Sequence, residues 1–440
     1  MPRLLLLELN EINFESVRYY CARGQLPSFA GLIERYGWST TRSELQYEHL
    51  EPWIQWVTAH TGLTFAQHGV FRLGDIIGHD LPQIWEQLEE RGLRVGAIAP
   101  MNAKHRVRDP AFFVPDPWTR TGISAPPALR RLSSAISQAV NDNAQRKMSA
   151  SSAFALIAGI LRYARPANYL HYAAFAANAA RRHWNGALFL DLLLADVFVR
   201  EVQRTRPDFA TLFLNAGAHI QHHYMFSAAC YSGPLRNPEW YAPRGRDPLL
   251  EAYALYDQIL GTVQRLFPQA RIMIATGLHQ VPFQQLTYYW RLKDHATFLR
   301  SIGVEFATVE PRMSRDFLLS CSDERQAERS AQRLGRVVAA DGVPLFEVDN
   351  RGKDIFAMLV YPHDISAGLE FLLDGKRYGH LHECVAFVAL KNGEHNGTGY
   401  LLDTGVPKGS IPGDMPLAAL PRLIMQALNV DTPAPASQAM

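Results

Sequence analysis

The chain reads as an α/β protein with a mainly parallel central sheet flanked by helices, a helical insertion and a smaller α+β region. Three observations predict this. Short, largely apolar runs, LLLLEL at Leu4–Leu9 and FATLFL at Phe209–Leu214, have the composition of central parallel strands, which are buried on both faces. Helical spacing over Leu81–Arg91 leads into the apolar run Leu93–Ala99, the βαβ rhythm of a doubly wound sheet. Between residues 129 and 203 that alternation gives way to consecutive segments rich in Ala and Leu.

Composition narrows the function classes. The 440 residues are 48% hydrophobic and 20% charged, as in ordinary globular proteins. A net charge of +2 offers no strong electrostatic argument for nucleic acid or an anionic membrane as a partner. The four cysteines (Cys21, Cys230, Cys321, Cys384) have neither disulfide nor metal-type spacing, which fits a reducing compartment. The apolar run at Leu4–Leu7 is too short for a signal peptide and is followed by Glu8 and Glu11. No stretch reaches the roughly 20 apolar residues that span a bilayer. A cytoplasmic protein is expected, without a transmembrane segment and with its oligomeric state open.

In chain order, the first strand ends at Asn10-Glu11, and helices are predicted over Phe14–Ala22 and Ser28–Tyr36. An acidic, aromatic segment, SELQYEHLEPWIQWVTAHTG, follows. Residues 1–125 form the first part of the core, and 126–205 a helical insertion or cap. In the cap, SSAFALIAGILRYA could also lie on a lipid surface. The core resumes over 206–300, with a helix at Pro248–Leu266 and a strand at Arg271–Ala275 ending in Thr276-Gly277-Leu278-His279-Gln280. Residues 301–390 read as the α+β region. The core closes over 391–430, with a helix at Met415–Leu428, and 431–440 as a disordered tail.

Candidate chemistry gathers at strand ends, where open α/β sheets bind ligands. Phe209–Leu214 runs into Asn215, His219, His222 and His223; the first strand ends in Asn10 and Glu11; another precedes His279. Loop segments add Glu48, Glu51, His60, His68 and His395. Imidazoles and carboxylates drawn from distant segments suit a metal or acid/base site. No tight spacing such as HExxH is present, and His60 and His68 read better as loop supports.

The succession of segments resembles the alkaline phosphatase superfamily, in its phosphodiesterase and nucleotide pyrophosphatase branch. LLLLELNEIN is similar to the first strand, which ends in a metal-binding Asp. GQLPSFAGLIERYG and EPWIQWVTAHTGLTFAQHGV are similar to the segments up to and including the nucleophile. FLNAGAHIQHHY resembles the Asp-x-x-x-His ligand loop, MIATGLHQ the Ser-Asp-His-Gly loop, and EHNGTGYLLDTGV the last His with its following strand. The resemblance implies an alkaline-phosphatase-like fold, with His222, His279 and His395 as metal ligands.

The acidic partners of that pattern are missing. Asn10, Ala218 and Leu278 stand where the family has Asp, and Glu51-Pro52 where it has a hydroxyl or thiol nucleophile. Two dications held without their carboxylates would repel with little compensation. The resemblance then implies one divalent ion, zinc or manganese, or none. It points to a hydrolase or transferase for a phosphate ester or nucleotide-sugar type of substrate, with a suggested place in surface-polysaccharide metabolism. Glu51, Glu11, Asn10, Asn215 and His219 would be its catalytic groups. Two alternatives stay open: a metal-independent glycosyl-transfer or hydrolysis enzyme pairing Glu51 with Glu11 or Glu48, and a non-catalytic binding protein on a decayed enzyme fold.

Overall fold

A computed structural model describes residues 1–141, 150–179, 181–312 and 315–430. The tail at 431–440 and residues 142–149 of the helical insertion lie outside the described residues. The chain divides into two compact units. The first comprises Met1–Ser232, Arg244–Pro282 and Gly393–Met440; the second comprises Gly233–Pro243 and Phe283–Asn392.

The strands of the first unit are β1 (Leu4–Leu9), β2 (Ser39–Arg42), β3 (Val95–Ile98), β4 (Phe112–Val114), β5 (Phe209–Leu214) and β6 (Arg271–Ala275). Strand β7 (His279–Leu292) leaves this unit. The second unit holds β8 (Thr308–Pro311), β9 (Asp316–Ser320), β10 (Val338–Ala339), β11 (Phe346–Arg351), β12 (Asp354–Leu359), β13 (Phe371–Leu373) and β14 (Lys376–Tyr378). Strand β15 (Val385–Asn396) returns to the first unit, where β16 (Thr398–Asp403) and β17 (Met415–Pro416) follow.

The central sheet has eight strands in the order β17-β2-β16-β6-β1-β5-β3-β4. β1 is parallel to both neighbours: Leu4 lies opposite Phe209 and Arg271, and Leu9 opposite Leu214. β16 runs antiparallel between β6 and β2. Every residue of β1 and of β5 is buried, as expected of strands covered on both faces. One side packs on a cluster containing Trp56, Trp85, Phe113, Phe209 and Phe213.

The helices at residues 127–205 belong to the first unit. The second unit has its own core, built around Phe298, Phe317, Phe346 and Phe371, beneath a four-stranded sheet ordered β11-β12-β9-β8. Two elements differ from expectation. The closing helix starts at Leu420, with Pro421 in its first turn, because Pro416 is extended and β17 pairs with β2. The segment after β5 is a helix, Ala216–Tyr224, rather than the ligand loop that the resemblance implies.

Candidate metal centre

The topology brings three distant segments to one edge. β1, β5 and β6 are parallel, so their carboxyl ends lie together and deliver Asn10-Glu11, Asn215 and Thr276–His279. β16 is antiparallel to β6, so its start lies at the same edge; His395 sits near the end of β15, just before it.

Glu11 is the pivot. Its backbone is left-handed, with φ 57°, and its side chain is buried. Its Oε1 accepts from Asn10 Nδ2 at 3.0 Å, and its Oε2 accepts from Gln280 Nε2 at 2.5 Å. His222 Nε2 and His395 Nε2 each lie 3.2 Å from that same Oε2, and 3.3 Å from one another. Burial alone would push the Glu11 carboxyl up; the adjacent His395 and His222 outweigh it and hold the group well below the usual carboxylate range.

The helix Ala216–Tyr224 aims His222. Its first turn is closed from outside by Asp191, which accepts from the N–H groups of Asn215 at 3.2 Å and Ala216 at 2.7 Å. Tyr256 donates to Asp191 and accepts from the Gly217 N–H. Burial pushes the Asp191 carboxyl up to about 6 against these bonds. The Asn215 side chain is thereby left for Asn10, whose Nδ2 donates to Asn215 Oδ1 at 2.8 Å. Gln221 donates to the Glu11 carbonyl at 2.7 Å, and Gln280 also donates to the Ala218 carbonyl.

On the other side stands the helix Pro52–Thr61. Trp56 Nε1 donates to Asn10 Oδ1 at 2.7 Å, and His60 Nε2 lies 3.0 Å from Glu8 Oε1. Two residues along a strand advance about 6.6 Å, and four along a helix about 6 Å. The two contacts are thus in step and pin the helix to β1. At the helix start Glu51 occupies the cap position without capping, and its Oε2 lies 3.8 Å from His395 Nδ1.

The sequence-predicted residues therefore part company. Glu11, His222 and His395 form a cluster; no other group of three or more His, Cys, Asp or Glu donors close enough to hold an ion occurs among the described residues. His279 is not in it: the ring lies in a buried position, its Nδ1 2.5 Å from the Thr398 carbonyl and its face against Tyr400. His219 is exposed on the helix, beside His223. Asn10 and Asn215 orient other side chains. Thr58 bonds to His68 and Thr61 to the Val57 carbonyl, so neither hydroxyl serves the site. Gln221, Gln280 and Asp191 escaped the sequence reading; the one local signal was Gln280 directly after His279.

The donor set fits a single ion. Two imidazole nitrogens and a carboxylate oxygen are the three protein ligands of many open zinc sites. Bonds of about 2.0–2.1 Å in a tetrahedron set donors about 3.3 Å apart, and the three atoms here lie 3.2, 3.2 and 3.3 Å apart. The carboxylate absent at position 10 is supplied one residue later, by Glu11.

No protein-family model matches the chain, and no curated protein matches it. Solved structures do. Phosphonoacetate hydrolase from Sinorhizobium meliloti 1021, in complex with phosphonoformate, is similar over 97% of this chain and 96% of its own, at 12% identity and a TM-score of 0.46. Murine ectonucleotide pyrophosphatase/phosphodiesterase 5 is similar over 99% and 97%, at 10% identity and a TM-score of 0.44. The human form covers the same shares, at 12% identity and a TM-score of 0.43.

Proposed function

We propose that the protein is a hydrolase or phosphoryl-transfer enzyme for a small phosphate ester, working at one zinc-type ion held by Glu11, His222 and His395. The observation carrying this reading is the triangle of donor atoms, spaced as one face of a tetrahedron. Such an ion, when bound, supplies Lewis acidity toward an ester oxygen. The remaining work falls to the chain. Asn10 and Gln280 donate to the two Glu11 carboxylate oxygens and fix the group in place. Glu51 Oε2 lies 3.8 Å from the far nitrogen of His395, a position from which a carboxylate would support a metal-holding imidazole. The helix Pro52–Thr61 directs its positive end toward an anionic substrate. His219, one turn before His222 and exposed, offers a further imidazole to substrate oxygens.

Nucleotide sugars fall within the class to be screened, although no residue singles out a sugar. Glycosyl transfer by Glu51 with Glu11 has less support. The acid of such a pair needs a raised pKa, and Glu11 is held in the opposite direction.

Metal content by plasma mass spectrometry, with turnover of a panel of phosphomonoesters, phosphodiesters and nucleotide sugars, tests the reading. One ion per chain is expected, lost together with turnover in His222→Ala, His395→Ala and Glu11→Gln. A folded protein that takes up no ion, or that turns over equally well as Glu11→Gln, overturns it.

A further inference from the structure

We propose that the helices Ala150–Tyr163 and Tyr169–Asn178 form a docking surface for an anionic lipid bilayer. The first helix uses one side for packing: a Cβ on Gly159 would lie 2.4 Å from Leu132 of the preceding helix, Pro127–Asn141, so these two meet closely there. Its other side is left bare. Phe154, Ile157 and Leu161 repeat at helical spacing and are 72%, 58% and 73% exposed. Leu170, at the start of the next helix, is 84% exposed, and Tyr169 beside it 49%. These five make up nearly half of the eleven large apolar side chains exposed among the described residues, so the apolar surface is concentrated rather than scattered.

Charge is concentrated in the same place. From Ala150 to Leu190 the chain carries Arg162, Arg165, Arg181 and Arg182 and no acidic residue, although the whole chain is nearly neutral. A surface hollow at the C-terminal end of the first helix is lined by Arg162, Arg165, Arg200 and Arg204, with Glu201 as the acidic side chain in its wall. Glu201 is engaged by Arg204 at 2.5 Å. A bare apolar stripe next to a cluster of guanidinium groups is the pattern of a helix lying in the headgroup region, with its apolar face toward the acyl chains. Among the described residues no helix is long and apolar enough to cross a membrane, so the surface would rest on a bilayer rather than span it. A second copy of the chain is the competing occupant. A two-fold contact would set these arginines against themselves, which charge disfavours.

Flotation of the full chain tests this, using vesicles of phosphatidylcholine alone and of phosphatidylcholine with phosphatidylglycerol. Binding is expected only with phosphatidylglycerol. It should weaken as salt rises from about 0.1 M to about 1 M and screening shortens from about 10 Å to about 3 Å. The pair Arg162→Gln/Arg165→Gln should weaken binding about 25-fold, and Leu161→Ser about tenfold. All these side chains are exposed or partly so, and an unchanged melting temperature identifies a folded variant. No flotation, or equal flotation on neutral vesicles, overturns the proposal. So does a dimer in sedimentation equilibrium that Leu161→Ser dissociates.

Discussion

Two carboxylate–imidazole groupings sit three residues apart, one on β1 and one in the turn that ends it, and they are built to opposite ends. Glu8 and His60 meet one-to-one at 3.0 Å with side chains 0% and 1% exposed. Trp85 and Trp56 close over the imidazole at 4.7 and 5.7 Å between ring centres. At Glu11 two imidazoles converge on one carboxylate oxygen, and His222 and His395 keep 30% and 13% of their side chains exposed. Identical residue types thus give a scaffold in one place and a candidate site in the other. The difference lies in convergence and in access to solvent.

The largest effect that would break this comparison is Glu11→Gln, which should remove the bound ion. Turnover should then fall by more than about a hundredfold, since even outer partners of metal ligands cost about 10–100-fold. Metal analysis and steady-state kinetics read this directly. His60→Leu should instead cost about 3–5 kcal/mol of stability, because Glu8 is left buried and alone. The double change Glu8→Met/His60→Leu should recover most of that loss in denaturant titrations. If His60→Leu melts like the native chain, the scaffold role of the pair is wrong.

A third prediction concerns His68, which accepts from the Val70 N–H through Nδ1 and bonds Thr58 through Nε2. Burial lowers its pKa to about 4. Between about 6.5, the ordinary value, and 4 the unfolded chain takes a proton that the native chain refuses. Stability is therefore full above that window and lost as pH falls through it, by about 3 kcal/mol. His68→Asn should flatten this slope in melts across pH 4–7. The smallest effect belongs to Glu51→Gln: about 10–100-fold in turnover or ion affinity, with the fold intact. Equal kinetics in native and variant protein would remove Glu51 from the site.

Much of the frame was legible because its signals are local. Phe209–Leu214 and Pro248–Leu266 have the bounds read from the sequence. The helix Ala216–Tyr224 was not legible: its histidines mask the period, and its first turn is closed by Asp191, 25 residues before it. The site was partly legible. Strand ends pointed to Glu11 and His222, yet nothing local shows that an antiparallel β16 brings His395 to the same edge. The spacing that suggested His279 says nothing of the Thr398 carbonyl that engages its ring. Hydrogen-bond partners chosen across the sheet leave no mark on the segments they join.

The left-handed turn at Glu11 has a consequence for selectivity. A residue with a side chain held at φ 57° costs of order 1–2 kcal/mol, and here it is fixed by bonds to both carboxylate oxygens and to its carbonyl. Such a donor has little freedom to draw back. With an ion held there, the triangle would act as a gauge of ionic radius. It suits an ion with bonds near 2.0–2.1 Å and is too narrow and too rich in nitrogen for calcium, which prefers six to eight oxygens at about 2.3–2.6 Å.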